Sequence, residues 1–164
     1  MNSNNVAVIT GGAGFIGSHA VDKFLANGYD VRVIDNFSGG RIENLAHLEK
    51  EPRLSIEEID IRDLASDNSV FNDASIVVHF AGVGDIVPSI NKPKDYMDVN
   101  FGGTVNVLEA CRWNAVQKLV YAASSSCYGI AKVPTNESAP IQTEYPYALS
   151  KYLGECACFH WNKV

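Results

Sequence analysis

Tyr147 and Lys151 lie four residues apart in the run Tyr147-Ala148-Leu149-Ser150-Lys151. The next residues, Tyr152-Leu153-Gly154-Glu155-Cys156, continue a helical pattern, and on a helix positions i and i+4 share one face. An ammonium can then sit near a phenol. An ordinary tyrosine, with a pKa of about 10, is a poor base in neutral water. A neighbouring cation favours the phenolate, and such a group can take or give a proton during a reaction. An isolated Tyr–Lys pair equally describes a solvated helix face, so its meaning depends on the rest of the chain.

The other end of the chain reads Val6-Ala7-Val8-Ile9-Thr10 and then Gly11-Gly12-Ala13-Gly14-Phe15-Ile16-Gly17. An apolar, β-branched run predicts a buried strand. The glycines follow as Gly12-x-Gly14-x-x-Gly17, and Ser18 to Leu25 carries apolar residues at helical spacing. Missing side chains let a backbone turn approach a pyrophosphate, which then meets free N–H groups and the positive end of a helix. Asp35 ends the next predicted strand, Asp30 to Asp35, 18 residues after Gly17. That is where a dinucleotide-binding fold places a carboxylate against the adenosine ribose. Strand, glycine turn, helix, second strand and terminal acid together point to a bound dinucleotide.

Elements that would position these groups alternate along the chain. The loop from Asn36 to Gly40 precedes a helical stretch from Arg41 to Leu48 and a third strand from Leu54 to Ile59. Asp63 is placed to cap a helix running to about Phe71. Ser75 to Phe80 reads as a fourth strand, Tyr96 to Trp113 as a long helix and Lys118 to Ala123 as a fifth strand. Ser124 to Glu144 is a loop rich in Ser and Pro, and the helix carrying Tyr147 and Lys151 extends to about Trp161. Strands interleaved with helices predict a doubly wound parallel α/β sheet with its site at the strand C-terminal ends. Ser124, Ser125 and Ser126 follow the fifth strand, where a hydroxyl can hydrogen-bond an oxygen undergoing oxidation; serines also open loops for purely local reasons.

Length and composition narrow the class. With 164 residues, 46% of them hydrophobic and 20% charged, the chain can form one globular domain. A net charge of −6 without a basic cluster argues against a nucleic-acid partner. No apolar run approaches membrane-span length, and Met1-Asn2-Ser3-Asn4-Asn5 lacks the features of a signal peptide. Cys111, Cys127, Cys156 and Cys158 form no C-x-x-C pair and have no zinc-like histidine spacing. They read as reduced, buried thiols of a cytosolic protein, with no metal site.

The motifs together resemble the extended short-chain dehydrogenase/reductase group, and within it nucleotide-sugar epimerases of the UDP-glucose 4-epimerase kind. They are Thr10 to His19, Asp35-Asn36-Phe37, Asp60-Ile61-Arg62-Asp63, His79-Phe80-Ala81-Gly82, Asn100 with Gly103-Thr104, Ser124 to Gly129, and Tyr147 to Lys151. The resemblance covers nearly the whole chain. It implies a Rossmann domain over residues 1–164 that stops before a sixth strand, with the C-terminal substrate domain absent. It also implies NAD as cofactor. Gly11, Gly14, Phe15, Ile16 and Gly17 would hold the pyrophosphate; Asp35, Asn36 and Ser38 the adenosine ribose; Asp60 and Ile61 the adenine. Phe80, Ala81 and Gly82 would line the cofactor, and Asn100 would support the site. Ser124 best matches the family's catalytic Ser/Thr, with Ser125 and Ser126 as substitutes or substrate contacts. Tyr147 would be the acid–base group, and Lys151 would tune it and bind the nicotinamide ribose. Many members have a lysine where this chain has Val83-Gly84-Asp85.

The activity implied is epimerisation of a nucleotide sugar through a transient 4-keto intermediate, in a homodimer. A 4,6-dehydratase or decarboxylase of the same fold is the first alternative. Relatives that dehydrate resemble a Thr-Asp-Glu pattern after the fifth strand, whereas here no carboxylate follows Ser124 until Glu137. A dinucleotide-binding fragment without turnover is the second. Asp35 predicts a preference for NAD over NADP, because it accepts from a free 2′-hydroxyl and repels a 2′-phosphate; Arg41 is the nearest downstream cation. Calorimetric titration of both cofactors checks this, and comparable affinities would refute it.

Overall fold

Every residue of strand β1, Val6–Thr10, is buried, because the strand lies at the centre of a sheet covered on both faces. A computed structural model describes residues 5–163. In it, β1 pairs in parallel with β2 (Asp30–Asp35) and β4 (Ala74–His79). β3 (Leu54–Glu58) and β5 (Lys118–Tyr121) extend the parallel sheet to the order β3-β2-β1-β4-β5. Alternate β1 residues serve opposite faces. Val6 and Val8 pack with Phe71, Val77 and Val107 on one side, and Ile9 packs with Val21, Leu25 and Val33 on the other. Helix α1 (Phe15–Ala26) supplies Val21 and Leu25, and α4 (Thr104–Trp113) supplies Val107. The strand order reverses between β1 and β4, which opens a crevice at their C-terminal ends. This is the doubly wound Rossmann architecture expected from the sequence.

Several local expectations need correction. α1 starts at Phe15, inside the glycine motif, and not at Ser18. Residues Ile42–Leu48 form a 3₁₀ helix. Asp63 caps no helix: two separate 3₁₀ turns, Ile61–Asp63 and Ser69–Phe71, are capped by Asp60 and Asn68, whose side chains accept the N–H two residues on. Such local bonds compete with a continuous helix. β5 ends at Tyr121, and Ser125–Tyr128 forms a 3₁₀ turn in the loop that follows. Two short helices, α2 (Ile86–Asn91) and α3 (Pro93–Met97), occupy a stretch with no sequence assignment before Tyr96. The long helix is interrupted by a π turn over Asp98–Gly103 that contains Asn100. Cys111 and Cys127 are buried, but Cys156 is exposed and Cys158 only partly buried. Burial pushes the Cys111 thiol up to about 12, which makes it unreactive. Helix α5 (Pro146–Trp161) packs against α2, α3 and α4.

A buried polar chain joins the central strands to α5. Thr104 Oγ1 donates to the Asn100 carbonyl at 2.6 Å, so its oxygen can only accept from His79 Nε2, 2.9 Å away. His79 is therefore the Nε2–H tautomer, and its Nδ1 accepts from Thr10 Oγ1 at 2.6 Å. Thr10 in turn accepts from the Ala81 N–H at 3.2 Å. Beyond Thr104, Asn100 Nδ2 donates to Ser150 Oγ at 3.0 Å, and Ser150 donates to the Tyr147 carbonyl at 2.8 Å. Thr10, His79, Asn100, Thr104 and Ser150 are each no more than 1% exposed. Among the described residues no buried side-chain polar atom lacks a partner. Removing one member would strand its neighbours at about 1–3 kcal/mol each.

Burial, aided by the Lys151 charge, lowers the His79 pKa from 6.5 to about 3. Between those values the unfolded chain binds a proton that the folded protein does not, so stability is complete above about pH 6.5 and falls as pH drops below it. The limiting slope is about 1.4 kcal/mol per pH unit. Lys151 is charged in both states through this window and adds no slope. Urea denaturation at pH 7.5, 6 and 5 should show the loss. His79→Gln should be less stable at pH 7.5 but flatter across the series; an unchanged slope in that variant would exclude His79 as the source.

Candidate active site

The chain leaves β1 through Gly11, whose φ is +69° and where a Cβ would lie 2.6 Å from the Ala81 nitrogen. At Gly17, in the first turn of α1, a Cβ would collide with the Gly11 carbonyl oxygen. Both positions need glycine for the turn to close. Gly14 is the N-cap of α1 and provides no side-chain cap, and the first N–H groups of a helix have no intrahelical acceptor. Phe15 and Ile16 are 80% and 63% exposed. An open helix end of this kind suits an anion.

Asp35, at the end of β2, is 7% exposed. Its carboxylate accepts from the Ala13 and Phe37 N–H groups, both at 2.9 Å, and so braces the glycine turn. Gly40 passes so close that a Cβ would lie 2.8 Å from Asp35 Oδ2. Asn36 Oδ1 accepts from the Ser38 backbone and hydroxyl, while its Nδ2 donates to Asp60 Oδ2 at 2.8 Å. Asp60 also accepts from the Arg62 backbone at 2.9 Å and from its Nε and Nη2 at 3.0 and 2.7 Å. The paired guanidinium, above all, holds the Asp60 carboxyl well below the usual range.

These groups line one cleft of about 630 Å³. It takes in Gly11, Gly14, Asp35, Asn36, Ser38, Asp60, Ile61, Phe80, Ala81 and Gly82, all of them singled out from the sequence. Arg62 and Asp95 also line it, so its walls carry Asp35, Asp60 and Asp95 against one cation. Arg41, the cation expected from sequence, is not among the lining residues. At the far end stands Tyr96, whose hydroxyl donates to the Gly84 carbonyl at 2.5 Å. Burial, with Asp85 and Tyr147 nearby, raises its pKa.

The proposed chemical groups lie beyond Tyr96. Its ring stands edge-on to that of Tyr147, with centroids 6.3 Å apart. Tyr147 is half-buried in the first turn of α5, and among the described residues its hydroxyl makes no hydrogen bond. The Lys151 ammonium lies 4.3 Å from the centroid of the Tyr121 ring. Sequence spacing pointed this cation at the Tyr147 phenol; packing of α5 over β5 gives it the face of Tyr121. Tyr121 donates from its hydroxyl to the Lys151 carbonyl at 3.1 Å. Burial lowers the Lys151 pKa to about 8. Ser124 Oγ accepts from the Ser126 N–H at 3.2 Å, which leaves the Ser124 hydroxyl proton free to donate. Ser125 is exposed and Ser126 half-buried.

Asn100 is fully engaged within the protein. Its Oδ1 accepts from the Val83 N–H at 2.8 Å and its Nδ2 donates to the Val83 carbonyl and to Ser150. It locks the loop after β4 to α5 and does not line the cleft. Asp85 stands in the loop where the resemblance expects a lysine; it is exposed, with φ +81°. Tyr96 and Arg62 carried no role in the sequence reading. Tyr96 lies one helical turn before Asn100, the only sequence signal for it. An uncapped helix end, a carboxylate closing β2 and a connected cleft of this volume together fit a dinucleotide.

Known proteins agree with this geometry. A profile described as the NAD dependent epimerase/dehydratase family matches residues 7–163. A putative UDP-glucose 4-epimerase from Methanocaldococcus jannaschii is 40% identical over 151 residues, covering 90% of this chain and 48% of the relative. The UDP-Glc/GlcNAc 4-epimerase structure from Campylobacter jejuni superposes with a TM-score of 0.90 at 28% identity, over 97% of this chain and 49% of that one. The dTDP-glucose 4,6-dehydratase DesIV from Streptomyces venezuelae, solved with NAD and TYD bound, gives 0.88 at 31% identity, over 97% and 52%. The chain spans about half the length of the relatives it matches. With the motifs, the parallel sheet and this match over nearly all its residues, the chain belongs to the NAD dependent epimerase/dehydratase family.

Proposed function

We propose that this chain is the cofactor-binding part of an NAD-dependent nucleotide-sugar 4-epimerase. The observation that carries this reading is the connection from the cleft lined by Gly14, Asp35 and Asp60 through Tyr96 to Tyr147. NAD, when bound, supplies a reversible hydride acceptor. The uncapped N-terminus of α1 holds its pyrophosphate through backbone N–H groups, since Asp85 offers no cation there. Asp35, with Asn36 and Ser38, receives the adenosine ribose, and Asp60 with Ile61 faces the adenine. Tyr147 takes the proton of the sugar 4-hydroxyl as that carbon is oxidised, and returns it after the 4-keto sugar has turned over. Ser124 donates its free hydroxyl proton to the same sugar oxygen, with Ser125 and Ser126 as the other candidates for substrate contact. Lys151 holds positive charge beneath the site and meets the nicotinamide ribose.

A 4,6-dehydratase is the second reading, favoured by the likeness to DesIV. The fold does not separate the two, because the superpositions are nearly equal in quality. The residues after β5 favour the epimerase: elimination needs a further acid–base pair, and Ser124-Ser125-Ser126 brings no carboxylate. No helix among the described residues is long and apolar enough to cross a membrane; a cytoplasmic setting belongs to the proposal through the family resemblance alone. Trp113 on α4 and Phe159 on α5 are more than 60% exposed, and a homodimer formed through these helices is part of the proposal through the family resemblance. Sedimentation should give a dimer, and a monomer at high concentration would remove that part.

Turnover is tested in a version of the protein extended to the length of the relatives it matches. Tyr147→Phe keeps the ring against Tyr96 and deletes the ionisable oxygen, so turnover should fall by roughly 10²–10⁴-fold with NAD affinity little changed. Lys151→Met should lower both turnover and NAD affinity. Production of a 4-keto-6-deoxy sugar in place of the epimer would select the dehydratase reading. Near-normal turnover in Tyr147→Phe would reject the mechanism.

A further inference from the structure

Arg62 is the one cation lining the cofactor cleft among the described residues, and half of its side chain is exposed to solvent. It stands at the adenosine end. Asp35 closes β2, Asn36 follows it and hydrogen-bonds Asp60, and Asp60 pairs with Arg62. A guanidinium has five N–H donors on two usable edges. The Nε–Nη2 edge of Arg62 is held by Asp60 at 3.0 and 2.7 Å. Its Nη1 makes no hydrogen bond among the described residues, so the Nη1–Nη2 edge remains available. Asn106 on α4 fixes the backbone beneath it, donating to the Ile61 and Arg62 carbonyls at 2.9 and 2.8 Å. The side chain is thus a preoriented fork.

A phosphate monoester is the ligand such an edge recognises best, because two parallel N–H groups match two phosphate oxygens. In a dinucleotide cleft the monoester next to the β2 carboxylate is the 2′-phosphate of NADP. We infer that Arg62, aimed by Asp60, is a latent receptor for a 2′-phosphate, and that Asp35, foremost among the three aspartates of the cleft, keeps it from selecting NADP. This rests on the dinucleotide reading of the cleft. It goes beyond that reading by making cofactor choice a balance between Asp35 at the end of β2, which excludes the phosphate, and Arg62 in the 3₁₀ turn after β3, which is able to accept it. Asp60 takes part as a positioning residue, since it orients the fork without meeting the phosphate.

The test is calorimetric titration of the 164-residue chain with NAD and with NADP, reading the ratio of the two affinities. Asp35→Asn removes the charge but keeps only one of the two acceptors that brace the glycine turn, so the ratio of the two affinities is read and not either affinity alone; that ratio should move toward NADP by at least about tenfold. Adding Arg62→Gln or Arg62→Met should reverse most of that gain; two neutral variants are used so that one that folds poorly does not decide the matter. Arg62→Gln with Asp35 intact should shift the ratio by less than about threefold, because Asp35 dominates. Raising salt should erode the NADP gain of Asp35→Asn and leave NAD binding nearly level. If the folded double variants keep the full gain, Arg62 is not the receptor and the inference fails. If Asp35→Asn produces no gain, Asp35 is not the gate and it fails equally. If the unaltered chain binds neither dinucleotide, the cofactor reading falls first, and that outcome is distinct from the other two.

Discussion

His79 accepts from Thr10 on β1 and donates to Thr104 on α4, and the geometry of the site depends on this neutral ring. The ring has no room for error in its hydrogens. Thr104 has given its proton to the Asn100 carbonyl, so the histidine must donate there and accept at its other nitrogen. Burial keeps it neutral, because a buried cation without a carboxylate partner is costly. Through Thr10 it reaches the backbone of Ala81 at the cleft wall, and through Thr104 and Asn100 it reaches Ser150 and the first turn of α5. The strand that starts the glycine turn and the helix that carries Tyr147 are thereby held in one frame. The π turn matters here too. It contains Asn100, whose three hydrogen bonds reach both the loop after β4 and α5.

Charge is distributed unevenly over the site. Three aspartates and one arginine line the cleft, so the anionic part of a dinucleotide depends on backbone dipoles. That is workable, because helix N–H groups attract a pyrophosphate without adding a side-chain charge. Asp35 and Asp60 are not simply exposed acids. Each is a hub: Asp35 braces Ala13 and Phe37, and Asp60 gathers Arg62 and Asn36. Four N–H donors meet the four acceptor positions of the Asp60 carboxylate, and the Asn36 amide is the only one not contributed by Arg62.

Lys151 shows the same economy at the other end. Its ammonium rests on the Tyr121 ring, whose hydroxyl returns a hydrogen bond to the Lys151 carbonyl. Gly154 completes the fit, since a Cβ there would collide with the Tyr121 hydroxyl. The His79 ring lies 5.7 Å from that of Tyr121, and the nearby lysine charge is part of what holds the histidine neutral. One aromatic ring therefore joins the helix that carries Tyr147 to the buried polar chain.

The sequence by itself determined the architecture and half of the residues that line the cleft. Apolar strands, glycine spacing and Asp35 are local patterns, and each acts through neighbours close in sequence or through the regular geometry of a parallel sheet. Family likeness carried Asn36, Ser38, Asp60 and the residues after β4. Tertiary structure decided whatever depends on side chains meeting across many residues. Thr10, His79 and Thr104 were visible as motif residues, but their bonds span 69 and 25 positions. Tyr96 gained its place from packing against Tyr147, 51 residues away by their numbers. The partner of Lys151 is Tyr121 because α5 lies across β5, which helical spacing could not disclose. Arg62, not Arg41, is the cation of the cleft because Asp60 folds its guanidinium back over a 3₁₀ turn. Periodicity reports which face of an element is buried; it does not report what that face meets, and the chemistry of this site is made of such meetings.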